Sequence, residues 1–223
     1  MKFVEYPDRD MMVMDLADIL ASELKSCLLT HEKASFSVPG GSTPGPIFQT
    51  LSAVDLDWSR VTVFLNDERW VPPNHARSNA KLLAETLLID KAAGANFLPF
   101  YDGSAEPEEA LPKLQALLEP QFPISVLLLG MGADLHTASL FPGADKLETA
   151  LSAHAPSVMA LRAEAAGEAR LTLTAPVLKG AMSTHIVITG AEKRAALEAG
   201  RHKPVHEAPV RTVLDTATIH WAE

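Results

Sequence analysis

The sequence has one cysteine in 223 residues, Cys27. A single thiol excludes an internal disulfide framework and a cysteine-built zinc cluster. Set among Leu24, Leu28 and Leu29, it reads as a buried side chain. Positive charge is short as well: 19 Lys and Arg face 28 Asp and Glu, for a net charge of −9. Nucleic acids and anionic membranes bind to fields of positive charge, so neither is expected as a partner. An anionic small molecule would have to rely on a few local cations. No run approaches the ~18 apolar residues of a membrane span, and the N-terminal MKFVEYPDRD lacks the apolar core of a secretory signal, so a cytoplasmic location is expected. Internal repeats and low-complexity tracts are also missing. The hydrophobic residues, 47% against 21% charged, supply enough core for one α/β domain across residues 1–223.

Val13, Leu16, Leu20, Leu24 and Cys27 recur at helical spacing and predict an amphipathic helix over 10–29. ASFSV (34–38) and RVTVFL (60–65) read as strands, and SNAKLLAETLLI (78–89) as a helix capped by Ser78. A Pro- and acid-rich connection around 99–112 leads into a further helix and then the apolar run ISVLLLG (124–130). Residues 144–168 are Ala-rich and irregular, apart from SVMAL (157–161), which alternates like a strand, as does RLTLT (170–174). HIVITG (185–190) is another strand, followed by a helix over AEKRAALEAG that ends at Gly200. The tail TIHWAE reads as an edge strand. Apolar strands alternating with helices predict a mostly parallel sheet covered on both faces.

In open parallel sheets, ligands bind beyond the C-terminal ends of the strands. Four polar or glycine-rich stretches fall there: PGGSTP, NDERW, GMGADLHTAS and TGAEK. Their convergence would build a site. Gly40, Gly41, Ser42 and Thr43 stand between a strand and a helix, where backbone N–H groups and a helix N-terminus can meet a phosphate. The lysine of a P-loop and the third glycine of a dinucleotide fingerprint are absent. Asp67, Glu68 and Arg69 follow a buried strand and read either as a surface ion-pair cluster or as a polar binding wall. Lys193, in the first turn of its helix, opposes the macrodipole, which a bound anion would explain. Arg170, opening a strand, reads in isolation as a solvated edge residue. His136 is the sharpest candidate. It follows the Gly130-x-Gly132 exit from a buried strand, two residues from Asp134, which would orient the imidazole or raise its pKa. His202 and His206 have the i, i+4 spacing of a metal pair, but Lys203 and Pro204 intervene and no third ligand is evident, so no metal is expected.

Taken together, GGSTP (40–44), NDERWVP (66–72), SNAKLL (78–83), GMGADLHTASLFPG (130–143), RLTLT (170–174), TGAEK (189–193) and Trp221 resemble the 6-phosphogluconolactonase family. That family sits in a superfamily that also holds glucosamine-6-phosphate isomerase/deaminases. The resemblance runs over nearly the whole chain. It implies a Rossmann-like three-layer α/β sandwich with small β elements towards the C-terminus and no nucleotide cofactor. It also implies hydrolysis of a phosphorylated lactone, 6-phospho-D-glucono-1,5-lactone, to 6-phosphogluconate in the oxidative pentose phosphate pathway. By resemblance, His136 is the general base and Asp134 orients it. Backbone N–H groups at the Gly130–Gly132 exit, or Arg69, would stabilise the oxyanion. Ser42, Thr43, Arg170 and Lys193 would hold the phosphate.

Asp67 would instead supply the base of a hexosamine-phosphate isomerase or deaminase. Against that reading, TASLFPG follows the histidine without the added Asn-Glu of those relatives, and Arg69 stands where they tend to carry an aromatic residue. A third reading, a non-catalytic sugar-phosphate binder on the same fold, would be expected to lose His136. One position departs from the family pattern: glycine is usual between the Asp and the His of the long motif, and here it is Leu135. Leucine there must either take an ordinary backbone conformation or strain the loop.

Overall fold

The computed structural model describes all of residues 1–223. In chain order its elements are β1 (Lys2–Glu5), α1 (Arg9–Thr30), β2 (Ala34–Val38), α2 (Gly45–Ser52), β3 (Val61–Leu65), β4 (Asp67–Arg69), α3 (Asn79–Thr86), β5 (Asn96–Leu98) and α4 (Pro107–Leu118). There follow β6 (Val126–Gly130), α5 (Leu147–Leu151), β7 (Val158–Leu161), β8 (Arg170–Leu173), α6 (Ala175–Lys179), β9 (Ser183–Thr189), α7 (Ala191–Gly200), α8 (Arg211–Leu214) and β10 (Thr218–Ala222). Seven strands form one sheet in the order β1-β10-β9-β6-β2-β3-β5. Every neighbouring pair in it is parallel.

The central strands are largely apolar and buried because both of their faces are covered. Phe36, Val38, Val126 and Leu128 point into a core shared with α1, α2 and α3. Their neighbours along the strands, Leu127 and Leu129, point into the opposite core, with α4, α6, α7 and α8. This is the three-layer α/β sandwich that the sequence implied. The small β element is a three-stranded antiparallel sheet in the order β4-β8-β7. It joins the second core through Leu161, Leu171 and Leu173.

Helix α1 begins where Asp8 accepts a hydrogen bond from Met11 N at 2.8 Å. At its other end, Arg60 donates to the carbonyls of Leu28, His31 and Glu32, at 3.1, 2.7 and 2.7 Å, and so satisfies acceptors the helix leaves open. Ser78 caps α3 by accepting from Lys81 N. Three expectations need correction. The tail strand β10 lies inside the sheet, because β1 pairs along its outer side and takes the edge. Cys27 is half-buried, on the flank of α1. Asp67–Arg69 is a strand in its own right, paired antiparallel with β8. No helix is long and apolar enough to cross a membrane.

Candidate active site

From β2 the chain builds outward through β3 to β5; from β6 it builds the other way, through β9 to β10. A crevice therefore opens between the C-terminal ends of β2 and β6. A cleft of about 380 Å³ occupies it. All four stretches singled out in the sequence meet there: Gly40 to Thr43 after β2, Asp67 and Arg69 on β4, Gly130 to His136 after β6, and Lys193 on α7.

The loop after β6 is built around one ion pair. His136 Nδ1 donates to Asp134 Oδ1 at 2.5 Å, and the His136 backbone N–H donates to the same oxygen at 3.2 Å. Although burial pushes the Asp134 carboxyl up, the hydrogen bond and charge of His136 outweigh it and hold it below its ordinary value. With Nδ1 committed, the neutral ring carries its lone pair on Nε2, the only ring nitrogen left for a ligand. A side chain at residue 132 would overlap both the imidazole and the Asp134 carboxylate, which is why Gly132 stands there. The loop closes through Leu135 N to Gly132 O and Gly132 N to His136 O, each 3.0 Å. Gly132 N–H is thus spent inside the loop and corrects the expectation of an oxyanion donor at that residue. The Met131 N–H, one residue earlier, donates to no protein group.

The cations are arranged by depth. Arg170, expected at a solvated edge, is only 4% exposed, because β8 is the middle strand of the small sheet. Its Nη2 donates to Ala166 O at 2.9 Å, and its Nη1 lies 3.8 Å from Asp67 Oδ2. Burial pulls its pKa down and the Asp67 charge opposes that. Arg69 donates to Arg77 O at 2.7 Å. The Nε atoms of both arginines and Asn66 Oδ1 are buried without a partner, on residues that line the cleft. Unpaired buried polar atoms are rare, and three of them belong to residues of this one cleft wall. The N–H groups of Gly40, Gly41, Ser42 and Thr43 also donate to no protein acceptor. Lys193 lines the same cleft with no carboxylate within ion-pair distance.

Asp67 and Glu68 have parted roles. Asp67 faces the cleft, but its Oδ2 accepts from Ser139 Oγ at 2.5 Å and its Oδ1 from Asn79 Nδ2 at 3.3 Å. Glu68 points away and is fully buried. Its carboxylate accepts from Asn79 N, Ala80 N and Arg69 N, all at 2.8 Å, and from Ser78 Oγ at 3.1 Å. Of the two readings open to this stretch, a surface ion-pair cluster or a polar binding wall, Asp67 and Arg69 form cleft wall while Glu68 caps α3. His202 and His206 are exposed in the segment after α7.

Comparison with known proteins agrees with this architecture. The family described as glucosamine-6-phosphate isomerases/6-phosphogluconolactonase matches residues 7–221. The chain belongs to this family. It is 42% identical over 215 residues to a 6-phosphogluconolactonase of Rhizobium meliloti (strain 1021), covering 93% of this chain and 92% of the relative. It is 41% identical over 210 residues to a 6-phosphogluconolactonase of Pseudomonas aeruginosa, covering 92% and 88%. The crystal structure of a 6-phosphogluconolactonase from Shewanella baltica OS155 superimposes with a TM-score of 0.95 at 32% identity, covering 100% of this chain and 97% of that one.

Leu135 has φ +69°, so of the two alternatives open to it the strained one holds. Sequence reasoning missed three contributors to the cleft wall. Phe141 places its ring 4.2 Å from the His136 ring and 5.7 Å from the Arg170 guanidinium, in contact with both. Asn66, at the exit of β3, donates to Leu128 O at 2.8 Å and so ties β3 to β6. Asn79 fills the space beside Gly40 that a Cβ would take. Only the position of Asn66 at a strand end could have flagged any of them.

Proposed function

We propose that this chain hydrolyses 6-phospho-D-glucono-1,5-lactone to 6-phosphogluconate. The observation that carries the proposal is the Asp134–His136 pair, which leaves imidazole Nε2 free in a cleft lined by Arg69, Arg170 and Lys193. Relatives sharing about two residues in five over most of the chain bear the name 6-phosphogluconolactonase. In the proposed reaction a water attacks the lactone carbonyl carbon while His136 Nε2 takes its proton. The resulting oxyanion is stabilised by the Met131 N–H or by Arg69. Collapse breaks the bond from that carbon to the ring oxygen, and the imidazolium returns its proton to the departing oxygen. Asp134 holds the tautomer and balances the imidazolium charge. The phosphate is held by Lys193, Arg170 and the free N–H and hydroxyl groups of residues 40–43. Residues 1–223 act as one unit in this reading, with no cofactor.

The isomerase or deaminase alternative needs a free carboxylate base. Asp67, its candidate, is already engaged by Ser139 and Asn79 and faces Arg170. Fresh lactone, assayed with spontaneous opening subtracted, tests the proposal directly. The wild-type protein should turn over the lactone, and His136→Ala should lose roughly 10²–10⁴-fold of the rate while still binding 6-phosphogluconate. A His136→Ala protein with most of its background-corrected rate would defeat the assignment.

A further inference from the structure

Leu135 occupies a backbone conformation that L-residues avoid, at φ +69°, and Ala138 does the same at φ +48°. His136 therefore stands in a stretch bounded by two left-handed residues, a conformation that L-residues disfavour. Such strain persists only where the surroundings over-determine it. At Leu135 they do so from three sides. Its N–H donates to Gly132 O inside the loop, and its carbonyl accepts from Val210 N, each at 3.0 Å. Its side chain is 4% exposed and packs against the last residue of α7.

That last residue is Gly200. It closes the helix without positive φ, so backbone conformation does not call for glycine. The packing does call for it. A Cβ on Gly200 would stand 2.5 and 2.8 Å from the two terminal carbons of Leu135. The missing methyl of one residue is the seat of the other. Helix α7 meets the cleft through Lys193 in its first turn, and Gly200 in its last supports the residue before the imidazole.

We propose that Leu135 and Gly200 form a matched pair of positioning residues that fixes the pose of His136 and couples it to α7. The inference rests on the reading of His136 as the general base, and it predicts a specific genetic interaction. Gly200→Ala should displace Leu135 and lower kcat ten- to a hundredfold, the scale of loss that a small misplacement of a reacting group produces. Affinity for 6-phosphogluconate should change less than about threefold, because the phosphate grip is left in place. Adding Leu135→Gly removes the clashing side chain, so the double variant should recover kcat to within about threefold of Leu135→Gly alone.

The His136 ring resonances, identified by their loss in His136→Gln, report the pose without substrate. They should move in Gly200→Ala and return in the double variant. If the wild-type protein fails to hydrolyse the lactone, the functional reading falls, while the ring resonances still judge the pair. Wild-type kcat together with unmoved His136 resonances in Gly200→Ala would overturn the coupling. Should Gly200→Ala not fold, a folded and active double variant supports the pairing, and a double variant that also fails to fold overturns it.

Discussion

Lys193 and Arg170 carry the same charge into the cleft but differ in what else they hold. Lys193 is half-exposed and has no acidic partner, so its removal should cost binding and little stability. Arg170 is buried, supports Ala166 O and faces Asp67, so its removal strips the small sheet as well. One charge-assisted contact is worth about 1.5–3 kcal/mol. Lys193→Ala should therefore weaken 6-phosphogluconate roughly 10- to 100-fold by titration calorimetry and raise KM for the phosphorylated lactone in step. Turnover of unphosphorylated gluconolactone, which lacks the phosphate, should not change. An equal effect on both lactones would remove Lys193 from the phosphate grip. The sequence exposes His136 and Lys193 because each follows a glycine at a strand exit, and loop chemistry stands out against apolar strands. Phe141 stays hidden, since an aromatic residue in SLFPG reads as core until the imidazole is seen 4.2 Å away.

Helices α1, α3, α4 and α7 and the inner strands were legible because their signals are local. Asp8 and Ser78 cap helices, and β2, β3, β6 and β9 are apolar runs with a glycine or a polar residue at the exit. The misread elements depend on partners far away in sequence. β10 became an inner strand only because β1 lies beside it, and β4 is a strand only because β8 supplies its hydrogen bonds. Glu68 shows the same dependence. No rule of local capping assigns a carboxylate on β4 to the N-terminus of α3, ten residues on. Yet it accepts two backbone N–H groups there, beside the one that Ser78 takes. Burial pushes the Glu68 carboxyl up, and these backbone hydrogen bonds only partly bring it back. Glu68→Ala should leave those donors unpaired in the core and cost on the order of 3 kcal/mol in urea unfolding. Lactone turnover should fall too, because Asn79 also anchors Asp67. Stability unchanged by the substitution would mean that water replaces the cap without penalty.

At the scale of the whole molecule, one buried polar chain joins the first helix to the last strands. Tyr6 donates to Asp15 at 2.6 Å and lies 2.8 Å from His220 Nδ1. His220 Nε2 is 3.0 Å from His185 Nδ1, and His185 Nε2 is 2.9 Å from Glu23 Oε2 on α1. With the Tyr6 proton given to Asp15, His220 donates from Nδ1, and a neutral His220 then accepts at Nε2 from His185. His220 is fully buried. Burial, with the His185 charge beside it, lowers its pKa to about 4. An unfolded imidazole titrates near 6.5. Between those values the unfolded chain binds a proton that the folded chain refuses, so stability falls as the pH drops through this window. Glu23 adds to the same trend: the hydrogen bond and charge of His185 outweigh the effect of burial and hold its pKa low, so its contribution is lost on acidification. The His220 share amounts to roughly 3 kcal/mol. Urea unfolding at pH 7 and pH 4.5 should show the wild-type protein losing stability on acidification. His220→Gln, less stable at pH 7, should close most of its gap to the wild type by pH 4.5, since glutamine keeps a hydrogen-bonding amide and has no proton to take up. A gap that stays constant across the two pH values would mean that His220 is not the group held neutral by the fold.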